Sequence, residues 1–184
     1  MVLRSFALGA GLVLAACTAP APPPTVAAIV YDNETADYGV APTNAIRTTD
    51  FDAPTPTIVD GAQTITTLQL KDMLASATPP LLIDVLGNVD TSLPTAVSVP
   101  DAGLGSSLND PLQARFGAVM FRLTGGDRSR PVAVFCLSRI CWLSHNAAVR
   151  LVAMGYTQVY WYRGGRNAWR EAGLPMAPVR MASP

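Results

Sequence analysis

The sequence predicts an α/β fold, a parallel sheet flanked by helices on both faces. Three observations predict it. The runs Leu81-Leu82-Ile83-Asp84-Val85 and Val132-Ala133-Val134-Phe135 are continuously apolar, as strands buried on both faces are. Stretches with apolar residues at helical spacing separate such runs. Strand and helix alternate from about residue 62 onward, the pattern of βαβ units.

Each element follows from local chemistry. A short strand around Ile65 precedes a helix that Thr66 or Thr67 caps, with Leu68, Leu70, Met73 and Leu74 as its apolar residues. Pro79-Pro80 stops that helix before the strand at 81–85. Val97-Ser98-Val99 is a further short strand. Asp110 at N-cap and Pro111 at N1 open a second helix through Leu112, Phe116, Val119, Met120 and Leu123, ended by Gly125-Gly126. The strand 132–135 leads straight into Cys136. A helix from about Ser144 to Met154 follows, ended by Gly155, and then a strand over Gln158–Tyr162. Gly164-Gly165 turns the chain into a short helix around Asn167–Ala172. Tyr160, Trp161 and Tyr162 alternate sides of their strand and are expected to be core or cover.

The 184 residues are 49% apolar and 14% charged, enough for one well-packed domain with appendages. With 13 basic and 13 acidic side chains the net charge is zero, which gives no electrostatic basis for binding nucleic acid. One histidine and 3 cysteines exclude a His-rich metal site and a four-cysteine zinc site within one chain, and no cofactor or metal is expected. Residues 1–16 read as a secretory leader, with Arg4 before the apolar stretch Phe6 to Ala16. That stretch is shorter than the roughly 20 apolar residues of a membrane span. Leu14-Ala15-Ala16-Cys17 resembles the lipobox of bacterial lipoproteins, which implies lipidation at Cys17 and, with Thr18 next, sorting to the outer membrane. Residues 17–61 then form a tether, Pro-rich at first and irregular after residue 26, where Pro42, Pro54 and Pro56 interrupt any pattern. The domain is expected over 62–178, with a tail at 179–184.

Cys136 stands where a buried strand ends and a loop leads into a helix. Sites in open α/β sheets form at such strand ends, and helix N-termini favour a negative charge there. A thiolate nucleophile suits that position, and so does a small buried hydrophobe. Placement leaves both readings open. A phosphatase of the Cys-x5-Arg type is excluded, because the residue at that distance is Trp142.

The order Ile83-Asp84-Val85, Leu93-Pro94-Thr95-Ala96-Val97-Ser98-Val99-Pro100, Val134-Phe135-Cys136, Ala147-Ala148, Gly155-Tyr156, Val159 and Gly164-Gly165 resembles the rhodanese-like domain over about residues 62–178. Phe135-Cys136, Cys141-Trp142, Ser144, Asn146-Ala147-Ala148 and Val159-Tyr160-Trp161-Tyr162 resemble, more narrowly, the CXXCW-motif rhodanese-related proteins. That group is associated with pyrroloquinoline-quinone-dependent catabolism of alcohols. Pro54-Thr55-Pro56 and Thr67-Leu68-Gln69-Leu70 echo its upstream pattern. The spacing departs from the motif: four residues, not two, separate Cys136 from Cys141.

The resemblance implies Cys136 as nucleophile and Cys141 as its partner thiol, with Ser138, Arg139 and Trp142 as substrate contacts and Asp84 and Ser144 as structural residues near the site. Trp142 is expected to shield the thiol or dock a partner. His145 is expected to be a solvated or half-buried helix residue. The loop lacks the glycine and second arginine of an ordinary sulfurtransferase, Leu143 falling where that arginine belongs and Leu86 replacing the strand-end arginine. A cationic pocket for thiosulfate is thereby weakened. Three functions remain: sulfur transfer through a Cys136 persulfide, thiol–disulfide exchange between Cys136 and Cys141, and a non-catalytic binding module serving a periplasmic dehydrogenase. The implied partners are a small sulfur donor or thiol acceptor and a periplasmic quinoprotein dehydrogenase or cytochrome c, with the membrane engaged through the lipid anchor. Metabolic labelling with a fatty acid is expected to mark the parent protein and not Cys17→Ser; equal labelling of both removes the lipoprotein reading.

Overall fold

The computed structural model describes residues 29–182. The leader, Cys17 and the first Pro-rich stretch lie outside the described residues. Eight strands and four helices follow in chain order: β1 (Gln63–Ile65), α1 (Thr67–Leu74), β2 (Leu81–Asp84), β3 (Thr91–Ser92), β4 (Val97–Ser98), α2 (Pro111–Thr124), β5 (Val132–Phe135), α3 (Trp142–Ala153), β6 (Val159–Tyr162), α4 (Gly165–Glu171), β7 (Ala177–Pro178) and β8 (Arg180–Met181). A 3-10 turn, Pro100–Gly103, lies between β4 and α2.

Six strands form one sheet in the order β1-β6-β5-β2-β4-β8. Every pairing in it is parallel. The expected α/β class with a parallel sheet is the observed one. β3 and β7 form a small antiparallel ladder beside it. β3, β7 and β8 span two residues each, too short to leave a period in the sequence. β8 adds a strand beyond residue 178, where the sequence places the domain's end.

Alternation along the central strands fills both faces. Val132 and Val134 of β5 join Trp161, Ala147, Leu151 and Phe116 in one apolar cluster. Ala133 and Phe135 point the other way, to Leu70, Tyr162, Ala168 and Trp169. The sheet thus separates α2 and α3 from α1 and α4. The two helix starts read from sequence are formed as expected. Thr66 and Gln69 cap α1 reciprocally, and the Asp110 carboxylate accepts from Gln113 N at 2.9 Å. Gly125, at φ +65°, ends α2 in the left-handed region that glycine enters without steric cost.

The Asp110 carboxylate also receives both guanidinium nitrogens of Arg150, at 2.9 and 3.2 Å. This pairing, foremost, holds the Asp110 carboxyl well below the usual carboxylate range. Arg150 donates in addition to Leu104 O and Ser107 O, which fixes the chain before α2 against α3.

Gly103 sets the distance of the 3-10 turn from the first turn of α3. A Cβ there would lie 2.3 Å from Leu143 O and 2.6 Å from Leu143 Cα, both backbone atoms. Asn146 Nδ2 reaches Gly103 O at 2.8 Å across this close approach. Gly103→Ala is expected to push α3 outward and lower stability by about 1–3 kcal/mol, as overpacked sites do. Urea denaturation checks this; an unchanged midpoint refutes the close-contact argument.

Candidate functional site

β5 ends at Phe135, and the chain leaves the sheet at Cys136 in the middle of the sheet's C-terminal edge. It returns at Cys141, the N-cap of α3. The two Cα atoms are 6.2 Å apart and the sulfurs are bonded as a disulfide. Both cysteines are buried, at 1% and 3% exposure, while Leu137 and Ile140 on the loop between them are 36% and 39% exposed. Ser138 closes the loop from within: its carbonyl accepts from Cys141 N at 3.0 Å, and its hydroxyl accepts from Ile140 N at 3.4 Å.

Two helix N-termini hold this loop. The first amides of α4 donate outward, Arg166 N to Cys136 O at 3.0 Å and Asn167 N to Leu137 O at 2.9 Å. Gly165 permits the approach: it sits at φ +60°, and a Cβ would lie 2.5 Å from Cys136 O. α4 therefore begins two residues before Asn167, where the sequence starts it. α3 likewise begins at Trp142 rather than Ser144. Cys141 offers no side-chain cap; Trp142 N instead donates to Phe51 O at 2.9 Å, a tertiary partner with no local signal.

That partner belongs to the irregular segment before β1. Asp52 pairs with Cys141 in an isolated antiparallel bridge, and Thr55 Oγ1 donates to Arg139 O at 2.6 Å. The segment lies along the cysteine loop as a strap. Arg139, expected to meet substrate, is bonded to the strap: its guanidinium donates to Tyr38 Oη and Asp32 O, each at 2.5 Å, and pairs with the Asp32 carboxylate at 2.7 Å. Trp142 is likewise covered. Its Nε1 donates to Pro54 O at 3.0 Å, and Arg47 stacks over its ring at 4.6 Å. The ring expected to shield the thiol or dock a partner is in contact with the chain's own strap.

Arg163, directly after β6, holds the strap from below. Its Nε donates to Thr55 Oγ1 at 2.9 Å, NH2 to Thr55 O at 3.0 Å, and NH1 to Glu34 O and Ala36 O. The Glu34 carboxylate in turn accepts from Thr67 N and Thr67 Oγ1 at 2.8 Å, capping α1. Burial, chiefly, raises the Glu34 pKa. Sequence reasoning missed Glu34, Thr55 and Arg163. Only Arg163 carries a local signal, a charge directly after the apolar strand and before Gly164-Gly165 at the edge where sites form.

Asp84 lies under the loop on the opposite face. It accepts from Leu86 N at 2.9 Å and from the Ser92 hydroxyl, and Arg166 Nε stands 3.8 Å away. Burial outweighs these partners and raises its pKa. Its bonds are to its own turn and to β3, not to amides of the cysteine loop. Ser144 links Cys141 to the sheet, accepting from Trp161 Nε1 at 3.0 Å and donating to Cys141 O at 3.3 Å. A cleft of about 570 Å³ opens beside the loop, lined in part by Asn88, Ser98, Asp101 and Leu143; neither cysteine lines it.

Residues 66–172 match the family of rhodanese-like domains. The chain belongs to that family. Among solved structures, this rhodanese-like chain is similar to a thiosulfate sulfurtransferase from Pseudomonas aeruginosa, at 19% identity and a TM-score of 0.50. That likeness covers 67% of this chain and 22% of the other, so the chain spans about a fifth of the enzyme's length. The Alr3790 protein from Anabaena sp. is similar at 20% identity and a TM-score of 0.45, over 61% of this chain and 89% of that one. These likenesses are of fold. No curated protein sequence matches the chain.

His145 departs from the expected half-buried position. It is fully buried, its ring 4.6 Å from Trp142 and 5.4 Å from Trp161, with no well-aligned hydrogen bond at either nitrogen. Burial lowers its pKa to about 4. The unfolded chain therefore binds the proton first, and stability falls as pH drops from about 6.5 toward about 4, levelling below that. The full loss is roughly 3 kcal/mol. His145→Phe is expected to flatten this part of the stability profile in urea titrations between those pH values; an unchanged slope contradicts the assignment.

Proposed function

We propose that the protein is a sulfur-transfer relay in which Cys136 is the nucleophile and Cys141 the resolving thiol. The observation that carries this reading is the Cys136–Cys141 bond at the C-terminal end of a central parallel strand. A disulfide needs Cα atoms within about 7 Å, and this loop meets that requirement with both residues in regular surroundings.

The cycle balances as follows. The Cys136 thiolate attacks the outer sulfur of thiosulfate, a persulfide forms, and sulfite leaves with the sulfur–sulfur bonding pair. The Cys141 thiolate then attacks the inner sulfur of the persulfide. Hydrosulfide leaves and the intramolecular disulfide remains. A dithiol reductant restores both thiols and is itself oxidised to a disulfide. The oxidised form buries both sulfurs, so donor binding follows reduction and opening of the loop.

The same proposal places the protein at the periplasmic side of the outer membrane, held through Cys17, in support of quinoprotein-dependent alcohol catabolism. The leader, the lipobox-like tetrapeptide and the resemblance to the CXXCW-motif proteins support this. An oxidising periplasm suits a closed resting disulfide.

Mass spectrometry of reduced protein treated with thiosulfate tests the roles. Cys141→Ser is expected to accumulate a Cys136 persulfide, and Cys136→Ser to hold none. The reverse pattern exchanges the roles. If neither thiol takes up sulfur or cycles with dithiols, the loop is a binding module and catalysis is refuted.

A further inference from the structure

The loop lacks the arginines expected of a sulfurtransferase, yet a buried guanidinium stands next to it. β5 and β6 are in register with Phe135 opposite Tyr162, so Cys136 and Arg163 are the next pair along the sheet edge. Thr55 Oγ1 accepts from Arg163 Nε at 2.9 Å and donates to Arg139 O at 2.6 Å, so one hydroxyl links the guanidinium to the cysteine loop.

Arg163 is 1% exposed, and its four acceptors are neutral: the Thr55 hydroxyl and the carbonyls of Thr55, Glu34 and Ala36. No carboxylate forms an ion pair with it among the described residues. Most other charged groups near the loop are paired or neutral. Asp84 of β2 and Arg166 of α4 pair with each other on the opposite face. Arg139 of the loop pairs with Asp32 of the strap. His145 of α3 is neutral above about pH 4. Asp37 of the strap, exposed to solvent, and Tyr38, whose ring lies under the guanidinium, act electrostatically on Arg163 without an ion pair, and the buried Glu34 carboxylate is taken up by Thr67 N and Thr67 Oγ1.

We propose that Arg163 is a positioning residue whose charge, held by neutral acceptors, stabilises the thiolate of Cys136 once the disulfide is reduced, standing in for the arginines absent from the loop. This rests on the reading of Cys136 as the nucleophile. Arg163 acts through space on the attacking sulfur, and through Thr55 it keeps Arg139 O and the loop backbone in place. As a general scale, a unit charge about 7 to 10 Å from a thiolate, through an effective dielectric of ~20, shifts its equilibrium by roughly ten- to fiftyfold. The N-terminus of α3 adds to this field at Cys141, and the test isolates the arginine.

The test uses reduced Cys141→Ser, in which Cys136 is the thiol followed. Its rate of alkylation by iodoacetamide, measured from about pH 5 to about pH 10, is expected to give a midpoint below the ~8.5 of a free thiol. Arg163→Gln in this background raises the midpoint by about one unit, a tenfold loss of thiolate near neutral pH. Arg163→Lys, which keeps the charge and loses the planar fork, stays close to the parent. A purely structural role predicts that Lys and Gln move the midpoint equally, and that result overturns the proposal, as does a parent midpoint at or above ~8.5. Should Arg163→Gln fail to fold by circular dichroism, the protein with Arg163 intact decides. Its rate with anionic iodoacetate relative to neutral iodoacetamide is expected to exceed that of free cysteine, and an equal or lower ratio refutes the field. A low midpoint without persulfide formation refutes sulfur transfer and leaves the electrostatic assignment standing.

Discussion

A guanidinium buried inside a protein must have its donors satisfied, and the demands of Arg163 organise the site. Its acceptors come from Glu34, Ala36 and Thr55, residues far away in sequence and without regular secondary structure of their own. Irregular chain with several prolines has little local reason to adopt one path. Here the path is set by carbonyls gathered around a single cation at the end of β6. Buried charges without such partners are costly, so the segment and the arginine are fixed together or not at all.

The strap then defines the loop. Thr55 faces both ways, accepting from Arg163 and donating to Arg139 O, while Asp52 and Phe51 bond the backbone at Cys141 and Trp142. From the opposite side α4 offers its orphan amides to Cys136 O and Leu137 O. The loop is thus bonded along its length by backbone groups rather than by its side chains. This explains how it forms one shape with no glycine in it: the glycine that close packing requires is Gly165, in the helix below.

The sheet also sorts the charges. Asp84 and Arg166 face one side, with Ser92 and the β3 turn. The cysteines lie on the other, and the strap reaches both, Ile46 packing with the cysteine cluster and Tyr31 with the cluster opposite. A parallel sheet whose central strands are buried on both faces separates these two sets by one layer of apolar side chains. The cysteines are therefore buried in an apolar cluster beneath a loop that carries one arginine, itself paired with the strap.

The sequence alone determined the α/β class, the central strands and the position of Cys136. Continuous apolar runs, helical spacing and the caps at Thr66 and Asp110 are local signals, and local physics realises them. The same signals misplaced the starts of α3 and α4 by two residues, because Trp142, Arg166 and Asn167 find their partners across the fold. They gave no hint of β3, β7 or β8, where two-residue ladders form only because neighbouring strands are already present. The partners of Arg139 and Trp142 near the loop were not legible for a related reason. Residue type and proximity to a cysteine suggested a ligand, while the strap that occupies them has no period to read. Which segment covers the loop, which arginine holds that segment and how His145 is buried depend on contacts between residues tens of positions apart, and only the tertiary structure decides those.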